Sequence, residues 1–292
     1  VYNDKYAKKN VYKQDAFAQY VCGTLYDVQS EFNDALIAYR KSYDGFKQYW
    51  KDYKTVVPMR LGEDLVRSAK LMNFAEEMEK FKKEFPWVKD DADSEETAEV
   101  MLVALAGKAP IKGDYFIDAK LPDADDNAQH VRVAFPKFVP RPSSVVEVEI
   151  AVIGQEGSPH AGKSVKADLM EDITAIAKKD LEDRIDRISA KAIARAIAKY
   201  VAERKVREKA GGGLLVNLAT DIYNIVSEEA DKRCWQLLPG GIYVARLKLA
   251  PGTYRLAANF YSKHGSVLDQ TVFNDVTLKK GEKKFLPAFC RQ

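Results

Sequence analysis

The segment from Gly157 to Ser164, G-S-P-H-A-G-K-S, matches the phosphate-loop pattern G-x-x-x-x-G-K-S. In such a loop the backbone amides cradle phosphates, the lysine reaches the β- and γ-phosphates, and the hydroxyl holds magnesium. Lys163 and Ser164 would take the last two roles here. The motif therefore raises one alternative function, a P-loop-like nucleotide-binding enzyme with the site residues Gly157, Gly162, Lys163 and Ser164.

The elements around this motif do not favour that alternative. The preceding strand-like run ends at Gly154, before the first loop glycine. Residues 165–230 have a helical pattern, so no hydrophobic strand ending in a magnesium-binding aspartate follows. The predicted strands nearby form hairpins rather than βαβ units. We therefore interpret the motif as a solvated loop.

Other residue types capable of chemistry form no catalytic signature. Paired carboxylates in 90–96 and 168–172 are typical of solvated charge. Asp123, Asp125 and Asp126 share one loop, but the glycine and distal glutamate of a hand-type calcium loop are absent. We therefore predict no enzyme, no catalytic residue, no metal and no cofactor.

The three cysteines are Cys22, Cys234 and Cys290. They are too few and too widely spaced for a zinc site built from thiols alone. Cys22 is expected to be a small core residue, because free cysteine is often buried. Spacing alone leaves a bridge between Cys234 and Cys290 open.

Composition excludes two further classes. Lys plus Arg number 46 and Asp plus Glu 43, and this net charge of +3 predicts no bulk affinity for nucleic acid. No apolar run approaches the ~20 residues of a membrane-spanning helix. We expect a globular protein without a transmembrane segment in this chain.

Residues 16–49 have the pattern of a tetratricopeptide (TPR) helical hairpin. Two helices can pack closely where small residues lie at the crossing and aromatic residues fill the gaps. These small and aromatic positions are Gly23, Tyr26, Ala35, Tyr39 and Ser42. Hairpins of this kind hold partners and perform no chemistry.

An aromatic stripe continues along the second helix of this hairpin. Its members recur at spacings of four, three, four and three, which puts them on one helical face: Tyr39, Tyr43, Phe46, Trp50 and Tyr53. The stripe could line a peptide groove, with Tyr39, Tyr43 and Trp50 binding a partner. Alternatively, it packs against neighbouring helices.

The rest of the chain changes character after an acidic linker. Runs within 98–153 and 241–292 are rich in β-branched residues and bounded by turn residues, which predicts strands. We expect an α+β fold in which N-terminal TPR-like helical hairpins precede a β-sandwich with a helical insertion. The expected domains are 1–89, helical, and 98–292, the sandwich, with the insertion at about 165–230.

The inserted helix has two stripes on roughly opposite sides. The apolar one consists of Ile185, Ile193, Ile197 and Val201, and the basic one of Arg187, Lys191, Arg195 and Lys199. The basic stripe could contact anionic lipid, a cell-wall polymer or an acidic partner. A solvated outer face is the alternative.

Four segments together resemble a family of uncharacterised bacterial cell-envelope proteins, usually predicted lipoproteins with TPR-like N-terminal helices. The segments are EFNDALIAYRKSY (31–43), FPKFVPRPS (135–143), DLMEDITAIAKKDLEDRIDRISAKAIARAIAKY (168–200) and EEADKRCWQLLPGGIYVARLKLAPGTY (228–254). The resemblance implies a periplasmic protein tethered to the outer membrane by a lipid, with further helical sequence upstream. It brings no catalytic residues.

These patterns favour a non-enzymatic cell-envelope adaptor or assembly protein that acts through protein–protein interaction. Its expected partners are other envelope proteins. The alternatives are the nucleotide-binding enzyme and a protein that binds an envelope surface, lipid or cell wall, through the basic helix 187–199.

Overall fold

The structure is a computed structural model that describes residues 14–88, 97–121, 129–153, 161–209 and 230–292. It divides the chain into two compact units. The smaller unit contains the described parts of 110–140 and 177–236, and the larger unit contains the other described residues. Each unit has its own apolar cluster.

The larger unit begins with helices. They are α1 (Ala16–Val28), α2 (Phe32–Tyr53), α3 (Met59–Leu71) and α4 (Ala75–Glu84). The Asp15 carboxylate accepts a 2.7 Å hydrogen bond from the Ala18 N–H and so caps α1. Between α1 and α2 the helices pack so closely that a Cβ on Gly23 would lie 2.6 Å from the Tyr39 ring. A helical pair is therefore present at 16–49, as the small residues predict.

A four-stranded inner sheet lies against these helices. Its strand order is β10 (Lys283–Cys290), β1 (Ala98–Ala106), β7 (Gly241–Leu249) and β6 (Asp168–Asp172). Strands β1 and β10 are parallel, and the other neighbours are antiparallel. Successive strand residues point to opposite faces, so Met101 packs against the helices while Val100 and Leu102 face away from them.

The apolar side chains of the second, outer sheet pack against the face of the inner sheet that is turned away from the helices. Its order is β5 (Ser164–Lys166), β4 (Val145–Val152), β8 (Gly252–Ser262) and β9 (Val267–Leu278), all antiparallel. Val148, Ile150 and Phe260 of this sheet are fully buried in one cluster with Leu102 and Leu247 of the inner sheet. The larger unit is thus built in three layers.

The smaller unit combines an antiparallel hairpin with most of a long helix. The hairpin consists of β2 (Ile111–Leu121) and β3 (Gln129–Val139), and the helix is α5 (Ile173–Lys209). Ala192 and Ala196 of α5 are buried against Val133 and Phe135. This small cluster is the apolar contact between hairpin and helix.

The mixed α+β class, with N-terminal helices before the strands, agrees with the sequence prediction. The helix predicted from residue 165 is wrong for its first residues, because 164–166 and 168–172 pair as strands β5 and β6. The predicted domains 1–89 and 98–292 stay a prediction. In the part of the chain that the structure describes, no helix is long and apolar enough to cross a membrane.

Candidate functional site

The described half of the phosphate-loop motif lies in a different geometry from a P-loop. Ser164 begins strand β5 and pairs with Ala151 of β4. The Lys163 ammonium donates a 2.7 Å hydrogen bond to the backbone carbonyl of Lys248. A P-loop needs a helix to begin at its lysine and serine, so that the helix N-terminus faces the phosphates. Residues 157–160 of the motif lie outside the described residues, as do 90–96 and the aspartates at 123–126.

The structure separates the three aromatic residues predicted to bind a partner. Tyr39 is 0% exposed and Tyr43 is 8% exposed, and both belong to the cluster between helices and inner sheet. Trp50 is 52% exposed. The two tyrosines therefore pack against neighbouring elements and are not accessible to a partner. Trp50 is accessible.

The predicted basic stripe lies on α5. Arg187, Lys191 and Arg195 are exposed there. Lys199 belongs to the same helix, but its side chain lies outside the described set. The stripe and Trp50 belong to different compact units.

The cysteines are all free thiols. The prediction that Cys22 is a core residue is wrong, because its position on α1 faces solvent, next to the buried Gly23. Cys290 instead is buried in the cluster between the sheets. The possible bridge between Cys234 and Cys290 is not formed.

The larger unit contains a buried ionic network that the sequence analysis missed. Arg246 of β7 donates two hydrogen bonds to Glu99 of β1, at 2.7 and 2.8 Å. Its guanidinium also pairs with Asp64 of α3. The Tyr20 hydroxyl donates to the same Asp64 carboxylate at 3.2 Å. Two helices, α1 and α3, and two strands are thereby joined through groups that are almost fully buried.

A second half of the network joins α1, α3 and β10. The Arg67 guanidinium donates to the Asp27 carboxylate, at 2.9 Å for one of its two bonds, and to Asp64 at 3.2 Å. Lys283 also pairs with Asp27. The three carboxylates of the whole network thus face three cations. Burial raises the pKa of Asp64, but the charges of Arg246 and Arg67 outweigh it and lower that pKa to about 2.

The charges of this network balance one another. Its ion pairs hold α1 and α3 against the inner sheet. Its acids and bases point at one another, and burying such groups is tolerable only when they are paired and hydrogen-bonded. The sequence signal was a charged residue close to apolar ones. Asp64 precedes Leu65 and follows Leu61 by three positions, and Arg246 lies between Ala245 and Leu247. All four apolar residues are buried in the structure.

A further buried carboxyl, outside this network, lies on β6, the edge strand opposite β10 in the inner sheet. Glu171 of β6 is 6% exposed, and the Tyr49 hydroxyl donates to it at 3.0 Å. Burial and the nearby Asp15 carboxylate raise the pKa of Glu171 to about 8. The Ala16 N–H in turn donates to the Tyr49 hydroxyl at 3.3 Å. Glu171 therefore keeps its proton near neutral pH.

An open apolar cleft of about 470 Å³ lies where α2 passes into α3. Lys54 ends α2 in the left-handed conformation, and Pro58 precedes the first turn of α3. The extended connection between them supplies one wall of the cleft. Its main lining residues are Val56, Pro58, Met59, Trp87, Asp168 and Leu169.

The cleft exposes much of its apolar lining. Val56 is 68% exposed, Met59 51% and Trp87 44%. Trp87 is positioned by an edge-to-face contact with Phe85, with ring centroids 5.4 Å apart. The Lys54 ammonium, at the rim, lies 5.8 Å from the Trp50 ring centroid, so Trp50 extends this surface along α2.

Asp168 provides the acidic group of the cleft. It accepts hydrogen bonds from the backbone N–H groups of Met59 and Arg60, at the start of α3. Burial raises its pKa despite these bonds. Because the carboxylate is already used to cap the helix, it fixes one wall of the cleft against β6.

Sequence reasoning identified Trp50 but missed the rest of this surface. The available signal was the presence of large apolar residues in connecting segments, T-V-V-P-M at 55–59 and Trp87 after Pro86. Among the described residues no group of three or more His, Cys, Asp or Glu side chains could hold a metal ion. The lining of the cleft is mainly apolar, so the cleft offers a partner apolar contact. Comparisons with family models, with curated proteins and with solved structures found no match.

Proposed function

We propose that this protein is a non-enzymatic adaptor or assembly protein of the bacterial cell envelope that acts through protein–protein interaction. Its binding site is the apolar cleft, and its partner is an envelope protein that inserts an apolar segment there. The observation that carries the proposal is the exposure of Val56, Met59 and Trp87 around one concave surface. Contiguous exposed apolar surface of this kind is typical of interaction sites.

The binding energy would be concentrated in a few large side chains. Tryptophan is among the residues that most often dominate interface energies, because it buries a large area with little loss of side-chain entropy. Trp87 at the cleft and Trp50 beside it fit this role. The lysine at the rim, Lys54, would add a contact to acidic groups of the partner without being buried.

The finer description of the fold belongs to this proposal. The close packing at Gly23 supports a TPR-like hairpin, and the apolar cluster shared by the two sheets supports a β-sandwich. The resemblance of four segments to envelope proteins supports a periplasmic lipoprotein tethered to the outer membrane. A partner of the same compartment follows from that location.

The nucleotide-binding alternative has less support, because β5 occupies the place of the required helix. Calorimetric titration with magnesium and ATP tests it directly. Micromolar binding that is abolished by Lys163→Ala would replace our proposal with that alternative.

Site-specific photocrosslinking in the native envelope tests the adaptor proposal. A photoreactive amino acid replaces Val56 at the cleft or, as a matched control, Val146 of the outer sheet, which is 55% exposed. We expect a discrete protein adduct from position 56 and not from position 146. A photoreactive residue at position 50 should give an adduct with the same protein, and this adduct should be lost when Val56→Gln and Met59→Gln are added.

Two results would contradict the proposal. One is the absence of any protein adduct at position 56, and the other is the same set of adducts from positions 56 and 146. Both glutamine substitutions lie at half-exposed or more exposed positions, so they should leave folding intact. Thermal unfolding of the purified variant checks this.

A further inference from the structure

Helix α5 leaves part of its apolar side uncovered. The hairpin β2–β3 contacts the helix through Ala192 and Ala196, which are 4% and 6% exposed. Their larger neighbours Ile193 and Ile197 are 47% and 52% exposed, and Val201 is 45% exposed. These three residues recur every fourth position, so they form one stripe along the helix. The small alanines thus face the hairpin and the bulky residues face outward.

The same stretch of helix carries a strong positive charge. From Arg187 to Ala202 the sequence contains four basic residues and no Asp or Glu. Arg187, Lys191 and Arg195 are exposed. Earlier in the helix the charges neutralise one another, with ion pairs such as Lys179 to Asp183 and Arg184 to Asp180. The positive charge is therefore concentrated where the apolar stripe is uncovered.

We propose that residues 187–202 of α5 form a binding surface for an anionic lipid bilayer. A helix that combines an apolar stripe with a basic polar face lies in the membrane interface, with its apolar side chains among the acyl chains. The Lys and Arg residues belong to the polar face, and their long side chains can extend around the helix towards the lipid phosphates. This surface belongs to the smaller unit and does not depend on the cleft.

Charge complementarity is the reason for assigning lipid as the occupant. An apolar stripe alone would fit any apolar partner. A stretch with four basic residues and no acidic residue fits a continuous negative surface, because each cation adds attraction within a Debye length of that surface. The protein should therefore bind vesicles that contain phosphatidylglycerol and should not bind vesicles of phosphatidylcholine alone.

Vesicle sedimentation with the whole chain measures this binding. The vesicles contain either phosphatidylcholine alone or an equal mixture with phosphatidylglycerol, at low and high sodium chloride. The apolar variant is Ile193→Gln, Ile197→Gln, and the charge variant is Lys191→Gln, Arg195→Gln. Each should weaken binding to the mixed vesicles roughly thirty-fold.

A matched control carries the same loss of charge on the same helix outside the proposed surface. This variant, Lys178→Gln, Arg184→Gln, should bind the mixed vesicles like the wild type. The helix propensity of glutamine is within a few tenths of a kcal/mol of that of lysine and arginine and is higher than that of isoleucine. The helix should therefore persist in all variants, which far-UV circular dichroism checks.

Several outcomes would overturn the proposal. They are an absence of binding, equal binding to neutral vesicles, or an equal loss in the control variant. Sedimentation velocity of the protein without vesicles could give a further result that contradicts the proposal. A dimer that disappears in the Ile193→Gln, Ile197→Gln variant would mean that a second copy of the chain covers the stripe.

Discussion

Replacing Glu171 by glutamine should change how the stability of this protein depends on pH. Glu171 is 6% exposed, and burial together with the Asp15 carboxylate raises its pKa from 4.5 to about 8. Glutamine has the shape and the hydrogen-bonding groups of the protonated acid. Its side-chain carbonyl can accept a hydrogen bond from the Tyr49 hydroxyl, as the Glu171 carboxyl does at 3.0 Å.

The direction in which the free energy of unfolding changes with pH depends on how many protons the folded and the unfolded chain bind. Between pH 4.5 and 8 the folded chain holds the Glu171 proton and the unfolded chain has lost it. Each pH unit in this window therefore lowers the free energy of unfolding by about 1.4 kcal/mol through this one group. From pH 5 to pH 8 the effect should be about 3 to 4 kcal/mol, because the slope is smaller close to either pKa value.

The measurement is urea unfolding of wild type and Glu171→Gln at intervals from pH 5 to pH 8. The variant should gain stability relative to the wild type as the pH rises, because it has no proton to lose. Glu149→Gln is the matched control, since Glu149 also accepts a tyrosine hydroxyl, at 2.8 Å from Tyr261, but is only half-buried. Parallel curves for wild type and Glu171→Gln would contradict the raised pKa of Glu171.

Three further predictions concern packing and burial. Arg246→Met should lower the free energy of unfolding by about 3 to 5 kcal/mol, because it leaves three buried carboxylates facing only two cations. Arg255→Met at an exposed position of β8 should change that free energy by less than about 0.5 kcal/mol. Urea unfolding at pH 7 compares the two. Gly23→Ala should cost about 1 to 3 kcal/mol in the same assay, because the new Cβ would lie 2.6 Å from an aromatic ring, and an unchanged midpoint would contradict the close packing. A thiol reagent should modify Cys22 quickly in the native protein and Cys290 only after unfolding, which mass spectrometry of labelled peptides would show.

The helical part of the fold was largely predictable because its determinants are local. Small residues at Gly23 and Ala35 and aromatic residues at regular spacing specify a packed helical pair without reference to the rest of the chain. The same pattern could not decide which aromatic residues stay exposed. Tyr39 is buried and Trp50 is not, because only part of the α2 stripe faces the inner sheet and the other helices.

The strands β5 and β6 show where local reasoning fails. D-L-M-E-D at 168–172 precedes a long helical pattern and reads as its beginning. In the structure these residues pair with β7, about seventy residues away in sequence, and this pairing overrides their local preference. The same pairing fixes Glu171 beside Tyr49 and places Asp168 at the cleft.

Local sequence patterns were enough to predict the α+β class, the helical pair at 16–49, most strands and the two stripes of α5. These features follow from periodicity and turn residues, which act over a few residues. Local patterns did not predict the cleft, which combines the 54–59 connection with Trp87 and residues 168–169. They did not predict the ionic network either, which joins α1, α3 and three strands. Burial and charge pairing depend on which distant segments meet, and a one-dimensional pattern does not contain that information.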